Sequence, residues 1–464
     1  MGGEEGGCAF GKMPQDAARA YWRFTLLWLI VGCSLGTLCA LSLLSPSLLS
    51  GHPILGYGRL IAAHRAVMVH GLLFSAVFAS AYALLPRLAQ DLLTPRPSSV
   101  ALSWFGMLVV LAGLLGILWG RGSGLEYSDL PTPVAFLFWL YLVGVAVDLA
   151  FLAARSRSLR EHPSFGLLLA ASMLPAVVYP FTLPDWWGVG LFPALRAWIG
   201  WRSIFLGSFV AAALGASLWT VGSGRSSTVL PRGPYVVGVA LLVGLAPFVG
   251  IVHLLDAPVS PGLRAWGAFC AVVAGAALFL LVLVLWPRKP AGLPGALVLF
   301  GLTGLGATAV QGVLMVMRPL HSAFHFTSNT SAHAHLALGA VLTLFLACGL
   351  IVWPRLGMRR LHNAERAMPA TAWLIGGLVL VFLFQTAAGI VQASAFGQGL
   401  SPTDWLPALK WLHLGVLAGG IASVIGSGML AWIGLATLRA PQAGPIASTA
   451  SPETYEPLPD GGEG

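Results

Sequence analysis

Long apolar runs constrain this chain more than any other feature. Twelve are read along the sequence, at residues 21–45, 60–85, 99–119, 133–154, 163–181, 197–221, 233–255, 264–286, 293–317, 329–353, 370–395 and 409–437. A helix of about 20 apolar residues crosses roughly 30 Å of hydrocarbon. Within that hydrocarbon an unpaired backbone N–H or C=O is too costly to leave, so repeated crossings are made as helices. Only 9% of the 464 residues are charged and 57% are hydrophobic, where a soluble domain is about one quarter charged. The expectation is an all-α, polytopic membrane bundle of about twelve transmembrane helices over residues 21–439. A cytoplasmic tail at 1–20 precedes it, and a disordered cytoplasmic tail at 440–464 follows, rich in Pro, Gly and Ser and then acidic.

The formal charge of +9 does not point to nucleic acid, because the basic residues are spread over short connections. A cytoplasmic N-terminus puts 17 Lys and Arg on the cytoplasmic side and 7 on the other, with Arg65 inside a span. The positive-inside rule then places both termini in the cytoplasm, and a bacterial inner membrane is the expected location. The five cysteines form no CxxC and no CxxCH, which argues against thiolate zinc sites and covalently attached haem. The first 20 or so residues do not read as a cleavable signal. Trp186, Trp187, Trp198, Trp201, Trp405 and Trp411 fall at outer ends of spans, as an aromatic belt does.

Histidine carries the chemistry. His333 and His335 stand about one turn into the tenth span, two residues apart. Successive helical residues turn by about 100°, so these imidazoles leave opposite sides of one helix and can serve two different metal centres. A pair built for one zinc ion sits more naturally at i, i+4. In the proposed topology His64 and His253 lie at the same depth, near the outer face. Ionisable groups inside a membrane are candidates for function, and imidazoles from two helices suit the two axial positions of a haem iron. His70, nearly two turns beyond His64, is read as a packing or hydrogen-bonding residue, with ligation in place of His64 as the alternative. His321, His325 and His413 lie near the outer face, able to meet haem propionates or line a docking surface. Arg59 and Arg318, at outer span ends, are candidate propionate partners.

Several of these segments resemble subunit I of the haem–copper oxidase superfamily, nearest its cbb3-type cytochrome c oxidase and nitric oxide reductase branch. GRLIAAH (58–64) is similar to the segment ending in the family's low-spin haem ligand. GATAVQGVLMVMR (306–318) and HFTSNTSAHAH (325–335) resemble its ninth span and its HYT…GHxH pattern. VWPRLGMR (352–359) and AAGIVQA (387–393) are similar to stretches further on. The resemblance implies two haems, b-type, with His64 and His335 on a low-spin iron and His333 on a high-spin iron.

The departures concern the second metal. The family holds it with a histidine of a WxGH stretch and two adjacent histidines in the next span. WIGWRS (198–203) puts Trp201 at the first position, and GIVHLLDAP (250–258) puts Val252 and His253 at the others. The family's tyrosine position falls at Ala246 and its glutamate position at Gln311. Trigonal nitrogen ligation is therefore not available, and a copper site is not expected. His253, Gln311 and Trp201 remain the candidates beside the high-spin haem.

The expected function is a haem b-binding oxidoreductase subunit of a respiratory chain that transfers electrons or reduces a small ligand such as nitric oxide without copper. Its expected partners are membrane lipid, a small gaseous ligand, and, on the outer face, c-type cytochrome or copper-protein subunits or a quinol. An active cbb3-like cytochrome c oxidase subunit is one alternative. A non-catalytic haem or gas sensor, or an assembly protein, is another. A transporter is disfavoured, since no pair of broken helices is read.

Overall fold

The structure is a computed structural model that describes residues 13–88, 97–154, 163–183, 191–222, 232–256, 258–287, 290, 292–357 and 360–439. Parts of both tails, Trp186 and Trp187, and several basic loop residues counted for orientation (Lys12, Arg96, Arg155, Arg225, Arg288 and Arg359 among them) lie outside the described residues.

Among the described residues twelve apolar helices follow one another as the runs require. They are α1 (Asp16–Leu44), α2 (Tyr57–Pro86), α3 (Pro97–Leu118), α4 (Thr132–Ala154), α5 (Gly166–Thr182), α6 (Pro193–Val221), α7 (Gly233–Leu254), α8 (Pro261–Leu285), α9 (Gly292–Val316), α10 (Ser328–Leu356), α11 (Ala364–Gly397) and α12 (Pro402–Arg439). Eleven are long and apolar enough to cross a membrane, and α5 is shorter. The described residues contain no strand. The helix that carries the first span begins at Met13, within the stretch read as a tail.

Neighbours in sequence pack against each other, and α12 packs back onto α1, which closes the ring. Three helices form the interior. In their apolar windows α2 is 94% buried, α6 83% and α10 72%, against 28–56% for the other eight long helices. Helix α10 touches α1, α2, α6, α9, α11 and α12. Every histidine singled out for ligation sits on one of these interior helices or, for His253, on α7 where it meets α6. The outer faces present Trp104, Leu108, Leu115, Phe269 and Leu283, as lipid contact demands.

Local irregularities aim the interior side chains. Helix α2 loosens into a π-helical turn at Val67–Leu73, which begins three residues after His64, and α6 does so at Phe205–Val210, three residues after Arg202. Such turns cluster at functional sites because they rotate the side chains on either side out of α-helical register. Helix α7 tightens into a 3₁₀ turn at Gly250–Leu254, which holds His253. There α6 and α7 touch backbone to backbone: a Cβ on Gly250 would come 2.7 Å from the carbonyl of Trp198. Helix α10 starts at a Thr327 cap whose hydroxyl accepts from the Asn329 N–H, so its first turns, with His333 and His335, are fixed.

Candidate functional site

His64 and His335 come together across α2 and α10. Their ring centroids are 6.1 Å apart and their planes differ by 22°. His64 Nδ1 lies 2.9 Å from the Gly32 carbonyl in α1, and His335 Nδ1 lies 2.8 Å from the Ser331 carbonyl one turn back. A carbonyl only accepts, so each neutral ring carries its proton on Nδ1 and leaves Nε2 unprotonated, with Gln385 also within reach of the His335 ring. Backbone partners of this kind fix the tautomer of metal-bound histidines. Two N–metal bonds of about 2 Å, plus roughly 1 Å from each nitrogen to its ring centre, give centroids about 6 Å apart. The observed separation thus fits two axial imidazoles on one iron. Gly36 makes room for the pair, since a Cβ there would come 2.8 Å from His64 Cε1.

His333 leaves the other side of α10 and lines a cavity of about 450 Å³ between α6, α7, α8, α9 and α10. Its Nδ1 lies 3.3 Å from Gln311 Oε1, and Gln311 Nε2 donates to Asn329 Oδ1 at 3.3 Å. With Gln311 held that way round, His333 carries its proton on Nδ1 and Nε2 is free. Gln311 is therefore a positioning residue that holds the imidazole from behind, which its sequence position alone did not show.

The far wall of this cavity differs from expectation. Trp201 is not among the lining residues. It is fully buried, packs 5.4 Å from His70 and 6.0 Å from Tyr179, and donates from Nε1 to Ser128 Oγ at 2.9 Å. Its neighbour Arg202 lines the cavity instead. Arg202 donates to His253 Nε2 from Nη2 at 2.6 Å and from Nε at 3.1 Å. Trp198 stacks on the other side of His253 at 3.6 Å with an interplanar angle of 11°. Trp198 is thus part of this wall, whereas Trp201 packs behind it and does not face the cavity beside His333 as expected. A guanidinium has only donors, so the His253 lone pair is already taken. Among the described residues no carboxylate lies at ion-pair distance from Arg202, although Glu126 lines the same cavity and acts on the guanidinium from further away.

His70 is a packing residue in the structure. Its ring sits among Phe74, Phe138, Tyr179 and Trp201, with Nε2 3.0 Å from the Tyr179 hydroxyl.

The connection between α3 and α4 closes this end of the bundle. Arg65 reaches out of α2 and grips Asp129 with two hydrogen bonds, of 2.7 and 3.1 Å. Asp129 is fully buried. Burial pushes its carboxyl up and the Arg65 guanidinium pulls it back. Removing one member of such a buried pair costs about 3–5 kcal/mol. Tyr127, at φ 61°, packs on Trp198 and Phe205 and lines the cavity. Arg59 donates to the Leu118 carbonyl at 3.1 Å, and Arg318 is exposed. His321 and His325 line the mouth of the cavity.

The fold and these residues can be set beside known proteins. The family model described as cytochrome C and quinol oxidase polypeptide I matches residues 16–422. The cbb3-type cytochrome c oxidase subunit CcoN1 of Stutzerimonas stutzeri is 30% identical over 129 residues, 28% of this chain and 27% of that protein, so the likeness spans about a quarter of the relative's length. A haem–copper terminal oxidase dimer solved by electron cryo-microscopy superposes with a TM-score of 0.76 at 14% identity, over 95% of this chain and 88% of that one. That likeness concerns the fold. The match over residues 16–422 covers most of the chain, including His64, His253, His333 and His335, and the chain belongs to the cytochrome c and quinol oxidase polypeptide I family.

Proposed function

We propose that this chain is the haem-carrying subunit of a bacterial inner-membrane oxidoreductase that works without the family's second metal. His64 and His335 together would hold one haem, and His333 would hold a second. The sequence has no CxxCH to attach either covalently, and both are taken as b-type on the resemblance. The observation that carries this reading is the His64–His335 separation of 6.1 Å between two rings whose Nδ1 atoms are both occupied by carbonyls.

Bound in these places, haem supplies one-electron redox chemistry and, at His333, an iron with an open position for a small ligand such as nitric oxide. The chain's own residues do the rest. Gly32 and Ser331 carbonyls orient two imidazoles, and Gln311 orients the third. Apolar residues of α6 to α10 make up most of the cavity lining. Arg202 and Tyr127 face the cavity from the wall opposite α9 and α10, the guanidinium as a fixed positive charge. Electrons arrive at the outer face, with both termini cytoplasmic, from a c-type cytochrome or copper-protein subunit or a quinol. Arg59 and Arg318 stay candidates for propionate contact. Copper needs several imidazoles, whereas α6 and α7 contain one histidine, and Arg202 occupies its Nε2.

The test is low-temperature electron paramagnetic resonance of the oxidised protein. A low-spin ferric signal of bis-imidazole type is expected, lost in both His64→Ala and His335→Ala. His333→Ala is expected to keep that signal and halve the haem content. Loss of the low-spin signal in His333→Ala alone, with His335→Ala unaffected, sinks the assignment.

A further inference from the structure

A second cluster, at the mouth of the cavity, has no part in holding haem in this scheme. Asp256 lies in the link between α7 and α8. His321 lies on the short helix Arg318–Phe324, and His325 caps that helix. The i, i+4 spacing puts the two imidazoles on one helical face, with ring centroids 4.4 Å apart. Asp256 Oδ2 is 3.2 Å from His321 Nε2 and 3.2 Å from His325 Nδ1. One ligating atom from each of the three residues falls within 4.8 Å of the others.

The proton count at His321 shows what is missing. Its Nδ1 lies 3.1 Å from the Met315 carbonyl, which can only accept, so Nδ1 carries the proton of the neutral ring. Nε2 is then a bare lone pair. It is buried in a side chain that is 4% exposed, and no hydrogen-bond donor reaches it. The nearest polar atom is a carboxylate oxygen. Two acceptors facing each other at 3.2 Å repel, and a buried acceptor left unpaired costs about 1–3 kcal/mol. A cation between them removes both costs. The distance suits one: two metal–ligand bonds of about 2.0 Å meeting near the tetrahedral angle put their donor atoms roughly 3.3 Å apart.

We propose that Asp256, His321 and His325 bind a divalent zinc-class ion, with a fourth position left for water. Two imidazoles and one carboxylate form a borderline donor set, suited to zinc and not to magnesium or calcium, which take oxygen ligands. Asp256 is the most exposed of the three, at 34%, which gives the ion an entry path. The ion ties the α7–α8 link to the α9–α10 link and so closes the cavity mouth beside His253, whose ring is 6.1 Å from that of His325. The site shares no residue with the positions at which the resemblance places the family's second metal, namely Trp201, Val252 and His253. It also needs no haem.

The test is elemental analysis and zinc-edge X-ray absorption on the full chain, purified in detergent after growth with zinc and passed over a desalting column. The expected result is close to one zinc per chain, coordinated by two imidazoles and oxygen. Asp256→Asn and His325→Gln are each expected to lose at least tenfold in retained zinc with haem content unchanged. His321→Gln serves as a third variant, so that one misfolded protein does not decide the matter. Zinc at background level in the wild type, with a neutron or nitrogen-NMR signature of a protonated His321, overturns the proposal. So does equal zinc in the wild type and all three variants. Haem content is read separately in every sample, so a protein with zinc and no haem refutes the proposed function and leaves this site standing.

Discussion

Arg202 and a copper ion compete for the same lone pair on His253. The guanidinium approaches Nε2 at 2.6 Å and lies 5.8 Å from the Trp198 ring centre, so in the proposed reading a side chain takes the place of a metal's positive charge. A fixed cation facing the His333 side of the cavity favours anionic ligands over neutral ones. A hydrogen bond to a charged group contributes about 1.5–3 kcal/mol. Arg202→Leu is therefore expected to weaken azide or cyanide binding to the oxidised protein by about 10- to 100-fold, measured by optical titration, and to leave carbon monoxide binding to the reduced protein unchanged. An equal loss for both ligands means the pocket has collapsed. The histidines were legible in the sequence because the HxH spacing separates two sides of one helix. Nothing in WIGWRS (198–203) marks Arg202 as a site residue. Its role depends on the rotation of α6, which the backbone contact at Gly250 and the π-helical turn at Phe205–Val210 accompany.

At the scale of elements, the His64 site depends on how closely α1 and α2 approach. Gly36 leaves the space that the imidazole fills. Gly36→Val is expected to push His64 away from His335 and to reduce low-spin haem by more than half, read from the optical spectrum of the purified protein, while helix content by circular dichroism stays the same. An unaltered low-spin spectrum shows that the α1–α2 packing does not set the ligand. The helices themselves were readable from run length, since lipid leaves the backbone no other way to pair. What run length does not report is deviation within a run. The π-helical turns in α2 and α6, the short α5 and the start of the first helix at Met13 depend on tertiary packing. The Arg65–Asp129 clamp was half legible. An arginine inside a span calls for a partner, but the partner lies in a loop 64 residues on, and only the fold brings them together.

For the whole molecule, α2, α6 and α10 make a buried core inside a ring of lipid-facing helices, and α10 carries one imidazole toward each of two sites. Family membership follows from the match over residues 16–422 and the shared fold. The central claim is narrower: two haem positions are kept and the second metal is replaced by Arg202. The measurement that tests it most directly is a reduced-minus-oxidised optical spectrum with and without carbon monoxide, with copper and haem quantified in the same sample. Two b-type haems per chain, one of which binds carbon monoxide, and copper well below stoichiometry are expected. One copper per chain contradicts the account and returns the chain to the working oxidases. A single low-spin haem that ignores carbon monoxide contradicts it in the other direction, leaving His333 without a haem and the chain as an electron relay, sensor or assembly factor.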